Sequence, residues 1–404
     1  MKSFLSKSEP KFIMSFGQMP LANKFLEAKN FKDEKFYDMS VGFDENLSLF
    51  QLIDSPDPGE MFDRNYAFFS GTSKYMVSHF ETFSNEIKDR LKNISKIKKV
   101  IEIGCNDGIM LQNFIDKDKY DHLGIEPSKN VYEVAKKKKL NVINDFFTNE
   151  LSLNLKEYIK KTDVIYAANV ICHIPNLNNL FKGIEELLNK KGVFIFEEPY
   201  LGDVIRLTSY DQIYDEHVYL FSLLSVDKIS KLFDLELIDA YPQKTHGGSM
   251  RYVIARKGEY SISDNLKKLM LKELDQGLDK IETYLNFKDN CERSKKRLIK
   301  ILNSYVDQGK KVSGYAATSK STTILNYCKI GKDLIDCIYD TTPLKINKFS
   351  PGMHIPIKHH KDFALEKPDV SLLFGWNHKK EIFDKEYNYT KNGGTWISHI
   401  SDLI

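Results

Sequence analysis

The chain has 404 residues, with 59 Lys and Arg against 56 Asp and Glu, a net charge of +3, 42% hydrophobic and 28% charged residues. That length exceeds one ordinary core and allows two or three domains, while the nearly cancelling charges leave no electrostatic footprint for nucleic acid. No apolar run approaches the roughly 20 residues that span a bilayer, and the start, MKSFLSKSEPKFIMSF, lacks a continuous apolar segment and a small-residue cleavage site, so a cytoplasmic protein with no membrane partner is expected.

Residues 1–80 show no clear period and are rich in turns, as in DSPDPGEMFD. Between 98 and 256 short apolar runs alternate with helical stretches: KKVIEIGC, HLGIEP, NVINDFF, DVIYAAN, GVFIFEEP, LELIDAYP and RYVIARKG. The spacing of the first five allows crossover helices, which predicts a parallel sheet wound on both faces. The last two are joined by the short QKTHGGSM and are placed for an antiparallel pair. A helical period then runs for nearly fifty residues, with a break expected at Asn286–Asn290. A second, smaller α/β set follows in KKVSGYAA, LIDCIYD, VSLLFGW and GTWISHI. The domains are therefore expected at 1–80, 81–258 and 259–404. The basic runs at 136–139 and 294–297 read as solvated helix faces. Five cysteines, Cys105, Cys172, Cys291, Cys328 and Cys337, include no C-x-x-C pair and read as reduced, mostly buried thiols.

The stretch IEIGCNDG (101–108) ends an apolar run at two glycines flanking an Asn-Asp pair. A glycine turn after a first strand lets a ligand approach the backbone, and a helix start behind it favours anions. Glu126 closes the second run about 20 residues on, where an acid accepts ribose hydroxyls. These features fit NAD, FAD or S-adenosylmethionine. The spacing departs from G-x-G-x-x-G, and a carboxylate at Asp107 repels a pyrophosphate but suits a sulfonium and an ammonium. That favours S-adenosylmethionine over a dinucleotide or a plain capped turn. Gly104, Asn106, Asp107, Gly108 and Glu126 are the candidate cofactor residues.

ANVICHIPNL (168–177) follows the fourth run, at the edge where α/β sheets collect ligands; His173 there also reads as a core histidine. FEEPYLGDVI (196–205) ends at the same rim. SYDQIYDEHVYLFS (209–222) crowds Tyr214, Glu216 and His217 into four residues, the kind of ionisable cluster proton chemistry needs, with helix capping as the plainer reading. THGGSMR (245–251) adds a glycine turn with His246 and Arg251. In the last region GYAATSKSTT reads as strand, turn and helix start, where amides and Lys320 could hold a diphosphate.

Taken with MPLANKFL, NYAFFSGTSKYM, PGMHIPI and FGWNH, these motifs resemble the bacterial S-adenosylmethionine-dependent C-methyltransferases of nucleotide-linked keto-deoxysugars, over nearly the whole chain. The resemblance implies a class I methyltransferase-type, Rossmann-like doubly wound sheet, with a small N-terminal domain and a second α/β domain joined by long helices. It places Gly104, Asn106, Asp107 and Glu126 on the cofactor, and Asn169 and His173 beside the transferred methyl and the sugar. Tyr214, Glu216 and His217 become the catalytic cluster, and Tyr66, Ser70, Tyr315 and Lys320 clasp the nucleotide sugar. Relatives of this kind carry an N-terminal zinc site of cysteine pairs. Here Asp44 and Leu47 stand at the expected positions and no cysteine precedes residue 105, so no metal is expected.

A ketone makes the neighbouring C–H acidic, and a base near neutrality must reach that proton. Histidine meets that condition at its ordinary value of about 6.5. His217 is the expected base, made more basic by the carboxylate beside it, with Glu216 as its orienting partner or a sugar ligand and Tyr214 as relay or donor; His173 is the rival base. A sugar O-methyltransferase, a non-catalytic nucleotide-sugar binding protein and a dehydrogenase are the competing readings.

Overall fold

The computed structural model describes residue 5 and residues 9–61, 74–92 and 97–400; Tyr66 and Ser70 lie outside the described residues. Its strands are β1 (Lys11–Pro20), β2 (Phe36–Asp44), β3 (Leu49–Leu52), β4 (Lys98–Ile103), β5 (Tyr120–Ile125), β6 (Val142–Ile143), β7 (Thr162–Ala168), β8 (Leu188–Pro199), β9 (Tyr219–Leu220), β10 (Leu235–Gln243), β11 (Ser249–Arg256), β12 (Val312–Tyr315), β13 (Ile338–Asp340), β14 (Ile357–His359), β15 (Val370–Leu373) and β16 (Thr395–Ile397). They form three sheets.

The central sheet runs β10-β11-β8-β7-β4-β5-β6. From β8 to β6 its strands are parallel, and β11 is antiparallel to both β8 and β10. Helices cover both faces, so the central strands are buried on each side and read as continuous apolar runs. The exception in β4 is Glu102, buried beneath the Tyr166 hydroxyl, where burial pushes its carboxyl well up. The third sheet, β14-β13-β12-β15-β16, is wholly parallel.

The N-terminal sheet, β1-β2-β3-β9, is antiparallel and takes its last strand from the segment that carries Tyr214 and His217. The expected boundary at residue 80 falls inside helix Lys74–Leu91. Where the resemblance puts zinc ligands, Asp44 Oδ1 accepts the Asn46 and Leu47 amides at 2.9 and 3.1 Å, and Leu47 is buried. A carboxylate-capped turn and an apolar side chain shape the β2–β3 hairpin there.

The helical linker is broken earlier than its period suggested. Helix Asp264–Asp275 ends before Gly277 (φ 69°), and Asn286 and Asn290 sit inside helix Ile281–Asp307. That long helix is the seam of one apolar cluster shared by the first and third sheets: Phe43 and Phe50 stack on Tyr284, with ring centroids 4.1 and 5.3 Å apart. The run at 294–297 is likewise more than a solvated face, since Ser294 and Arg297 donate to the carbonyl of His399. The run at 136–139 is exposed, and all five cysteines are free and buried. No helix among the described residues is long and apolar enough to cross a membrane.

Candidate active site

A cavity of about 780 Å³ opens at the carboxyl ends of β4, β5 and β7, and N-terminal residues and the segments after β12, β13 and β15 close over it. That size suits a cofactor and a substrate held together.

On the cofactor side, Gly104 (φ 68°) leaves β4 with its amide on the Ile125 carbonyl. A Cβ there would lie 2.4 Å from Val170, so only glycine leaves the chain this course. Asn106, also left-handed (φ 49°), donates its amide to Glu126 Oε2 at 2.9 Å, and Ser128 donates to Oε1 at 2.8 Å. Burial raises the Glu126 carboxyl, against the pull of those two amides. Each oxygen keeps a lone pair, and Glu126 lines the cavity.

Asn169 (φ 56°) lines it too, with its Oδ1 buried and without a hydrogen-bond partner. Phe146 and Phe147, which follow β6, line the wall beside Glu126. A glycine cradle, a carboxylate with spare acceptor capacity, an open amide oxygen and two aromatic rings fit the ribose, amino-acid and adenine parts of S-adenosylmethionine.

Two cofactor candidates fall outside this lining. Gly108 (φ 77°) is a packing position, where a Cβ would meet Leu140 at 2.2 Å. Asp107 is buried, with Lys138 Nζ 3.9 Å from its carboxylate. The sequence pattern could not separate turn residues that face the ligand from those that face the following helix.

Across the cavity, His217 is buried and fixed at both nitrogens. Its Nδ1–H donates to the Gln212 carbonyl at 2.7 Å, and its Nε2 accepts the Tyr214 hydroxyl at 2.7 Å. Burial depresses His217 well below the usual imidazole value, with His173 and then Lys320 adding to it. His173, whose ring centroid is 5.4 Å away, is lowered to about 4 by burial.

This corrects the expectation that Glu216 orients His217. Its Oε1 accepts the Asn23 side-chain amide at 2.6 Å, the Gln212 carbonyl orients His217 instead, and the imidazole is shifted down rather than up. Neighbours in sequence point apart here, and Asn23, in MPLANKFL, had only the motif as its signal.

Adjacent acids on β8 hold the two histidine turns. Glu198 Oε1 accepts the amides of Val170, Ile171 and Cys172, and burial raises that carboxyl to about 7. Glu197 accepts Thr245 Oγ1, His79 and Arg251. His246 (φ 55°) lines the cavity and is lowered to about 3, mainly by burial.

Arg251 does not line it. Its guanidinium is 2% exposed, bonded to Glu197 and Glu86 over the Phe83 ring, so it is part of the scaffold. Tyr315 is scaffold as well, packed on Phe363 and Trp396 with its hydroxyl on Glu386. Lys320 does line the cavity.

Cys172, His173 and His217 place ligand atoms within 4.8 Å of one another, a group that could hold a metal ion and that the cysteine spacing did not suggest. Both His217 nitrogens are already engaged there.

The sheet order and the cofactor wall define an S-adenosylmethionine-dependent methyltransferase. Residues 76–240 match the family model described as a methyltransferase domain, and residues 244–401 match the C-methyltransferase C-terminal domain. The chain is similar to the C-methyltransferase NovU of Streptomyces niveus, 28% identical over 392 residues, or 96% of this chain and 93% of that one. Together these matches support an S-adenosylmethionine-dependent C-methyltransferase.

Among solved structures it resembles the PH0226 protein of Pyrococcus horikoshii (17% identity, 47% of this chain and 95% of that chain, TM-score 0.36). It also resembles the CurJ carbon methyltransferase (14%, 50% and 61%, TM-score 0.37). Both scores are below 0.5, so the assignment stands on the family models and the sequence relative.

Proposed function

We propose that this protein C-methylates a nucleotide-linked 4-keto-deoxysugar, by removing a proton next to the ketone and alkylating the enolate. The observation that carries this is the Gln212–His217–Tyr214 chain in the same cavity as the cofactor wall. His217 is fixed in the tautomer whose Nε2 lone pair faces the Tyr214 hydroxyl, and burial keeps it neutral at pH 7.

When bound, S-adenosylmethionine supplies an electrophilic methyl group. The residues here that would hold it are Gly104, Asn106, Glu126 and Asn169. The substrate proton passes to His217, with Tyr214 as relay: the tyrosyl oxygen takes it while the phenolic proton moves to Nε2. His173 borders both partners, and the apolar lining excludes water that would quench the enolate. The N-terminal and third domains grip the nucleotide sugar, and a cytoplasmic setting would give access to both substrates.

Mass spectrometry of reactions with a panel of nucleotide-linked 4-keto sugars tests this reading, with a gain of one CH₂ expected. Carbon NMR of the product separates a C-methyl from an O-methyl group. An O-methyl product, or none across the panel, contradicts the proposal.

A further inference from the structure

Lys320 is the second residue of helix Ser319–Cys328. Its side chain is buried, and its Nζ has no hydrogen-bond partner among the described residues. Both features are costly. The helix start carries a partial positive charge that disfavours a cation, and an unpaired buried charge is among the most expensive groups a fold can hold.

The surroundings offset this only in part. The ammonium lies 5.4 Å from the centre of the Trp376 ring, whose indole N–H donates to Asp211 Oδ2 at 2.6 Å. The other oxygen of Asp211 is taken by His399 at 3.0 Å. Desolvation accordingly lowers Lys320 to about 8, with Asp211 opposing it. A charge kept under such conditions points to an anion that arrives with the substrate.

Three anionic groups could meet it: the diphosphate, the cofactor carboxylate and the oxygen of the ketone as it becomes an enolate. The helix start is poorly prepared for a diphosphate, because Thr318 Oγ1 already accepts the Ser321 amide. The other lysine among the described lining residues, Lys345, donates to the Ala317 carbonyl and lies over the Phe25 ring. Among the described lining residues, Lys320 is the lysine whose ammonium makes no hydrogen bond, and a diphosphate asks for more than one such group. Lys320 instead keeps company with the proton-transfer groups: its charge depresses His217 and His246, while the cofactor wall is built from β4, β5 and β7.

We propose that Lys320 is a catalytic residue whose ammonium stabilises the ketone oxygen as the enolate forms. In that step the C–H bond breaks and its proton goes to His217 through Tyr214. The C–H electron pair becomes the C=C bond, and the carbonyl π pair moves to oxygen, where the negative charge faces Nζ. The inference rests on the enolate reading above, and it moves Lys320 from the diphosphate to the reacting carbonyl.

The test is Lys320→Met in deuterated buffer without S-adenosylmethionine. The probes are thymidine- and uridine-diphosphate-linked 4-keto-6-deoxyglucose for exchange, the free diphosphates for nucleotide binding, and S-adenosylhomocysteine for the cofactor side. Exchange of the proton next to the ketone should fall about 10²–10³-fold, the usual loss of one oxyanion donor. The Kd values for the diphosphates and for S-adenosylhomocysteine should stay within threefold.

Normal exchange with a tenfold weaker diphosphate Kd makes Lys320 a diphosphate ligand and overturns the proposal. Normal exchange with weaker S-adenosylhomocysteine binding moves Lys320 to the cofactor carboxylate and also overturns it. If the wild type exchanges with neither probe, the enolate reading and this one fall together.

Should Lys320→Met fail to fold, the wild type decides the matter. Its exchange should fall as pH rises through about 8 and Lys320 loses its proton, with diphosphate affinity unchanged. Asp211, His217, His246 and His378 are shifted down and Tyr214 up, away from that window. Lys345, which lines the same cavity and is also shifted down, is controlled by repeating the profile in Lys345→Met, where the fall should persist. A flat exchange rate from pH 7 to about 9.5 overturns the assignment.

Discussion

After β4, the Asn106 amide donates to Glu126 at the end of the neighbouring strand, and the Ser128 amide takes the other oxygen. After β12, the Ala317 amide donates to Asp340 at the end of its neighbouring strand, at 2.7 Å, and the Thr342 amide takes the other oxygen. In both turns the residue directly after the strand takes a positive φ, Gly104 at 68° and Ala316 at 69°. The difference lies in what covers them. The first turn is packed against Val170 on one side but faces the cavity, which Gly104, Asn106 and Glu126 line. The second is sealed: Lys345 Nζ lies on the Ala317 carbonyl, and the Ala316 methyl packs against Gly375. What reaches the cavity from there is the helix start, Thr318 to Lys320. The same strand–turn–acid plan marks a cradle only where the turn is left uncovered.

The largest expected effect comes from covering the first turn. Gly104→Ala combines a left-handed backbone with a methyl in the space of Val170, about 2–4 kcal/mol together. Titration calorimetry should show S-adenosylhomocysteine binding weakened roughly 30- to 1000-fold; binding within threefold of the wild type would show that the cradle is elsewhere.

Removing the two acids sharpens the contrast. Glu126→Ala deletes a charged acceptor worth about 1.5–3 kcal/mol and should cost tenfold or more in the same affinity. Asp340→Ala, which leaves two turn amides unpaired, should lower Tm and leave S-adenosylhomocysteine binding within twofold. Equal loss of affinity in both variants would mean that the second turn also holds cofactor.

A pH profile gives a smaller effect. Because His217 is shifted down, its neutral, proton-accepting form persists as pH falls through 6.5. Substrate deuterium exchange should therefore hold level from pH 7 to about 6 and decline only below. A decline centred at the ordinary imidazole value would show that the substrate-free environment of His217 does not govern the step.

The smallest effect concerns metal. Chelation followed by dialysis should change neither Tm nor turnover, since Asp44 and Leu47 serve as turn cap and core at the N-terminal positions. One zinc per chain by elemental analysis after that treatment would point to Cys172, His173 and His217.

The parallel sheet, its closing antiparallel pair and the glycine turn after β4 were legible because burial on two faces and a positive φ both leave marks in the local sequence. Gly104 and Glu126 announce themselves by residue type and spacing. Arg251 and Tyr315 carried the same polar signature as ligand-binding residues, but a buried ion pair and a buried hydroxyl on Glu386 account for them, and those partners lie far along the chain. The helix break missed its place for a similar reason: Gly277 (φ 69°) ends the helix by its backbone, whereas Asn286 and Asn290 are tolerated inside one. The downward shift of His217 comes from burial among segments far apart in the chain, with His173 and Lys320 adding to it, which no neighbouring residue encodes.

The central claim is that the Tyr214–His217 pair takes the proton from the carbon to be methylated. It is tested most directly by following solvent deuterium into the 4-keto sugar nucleotide, without S-adenosylmethionine, for the wild type, His217→Asn and His173→Asn. A general base contributes about 10²–10⁴-fold. His217→Asn should lose exchange and turnover by that order with S-adenosylhomocysteine binding intact, and His173→Asn should keep exchange. Exchange preserved in His217→Asn and lost in His173→Asn would contradict the account and make His173 the base.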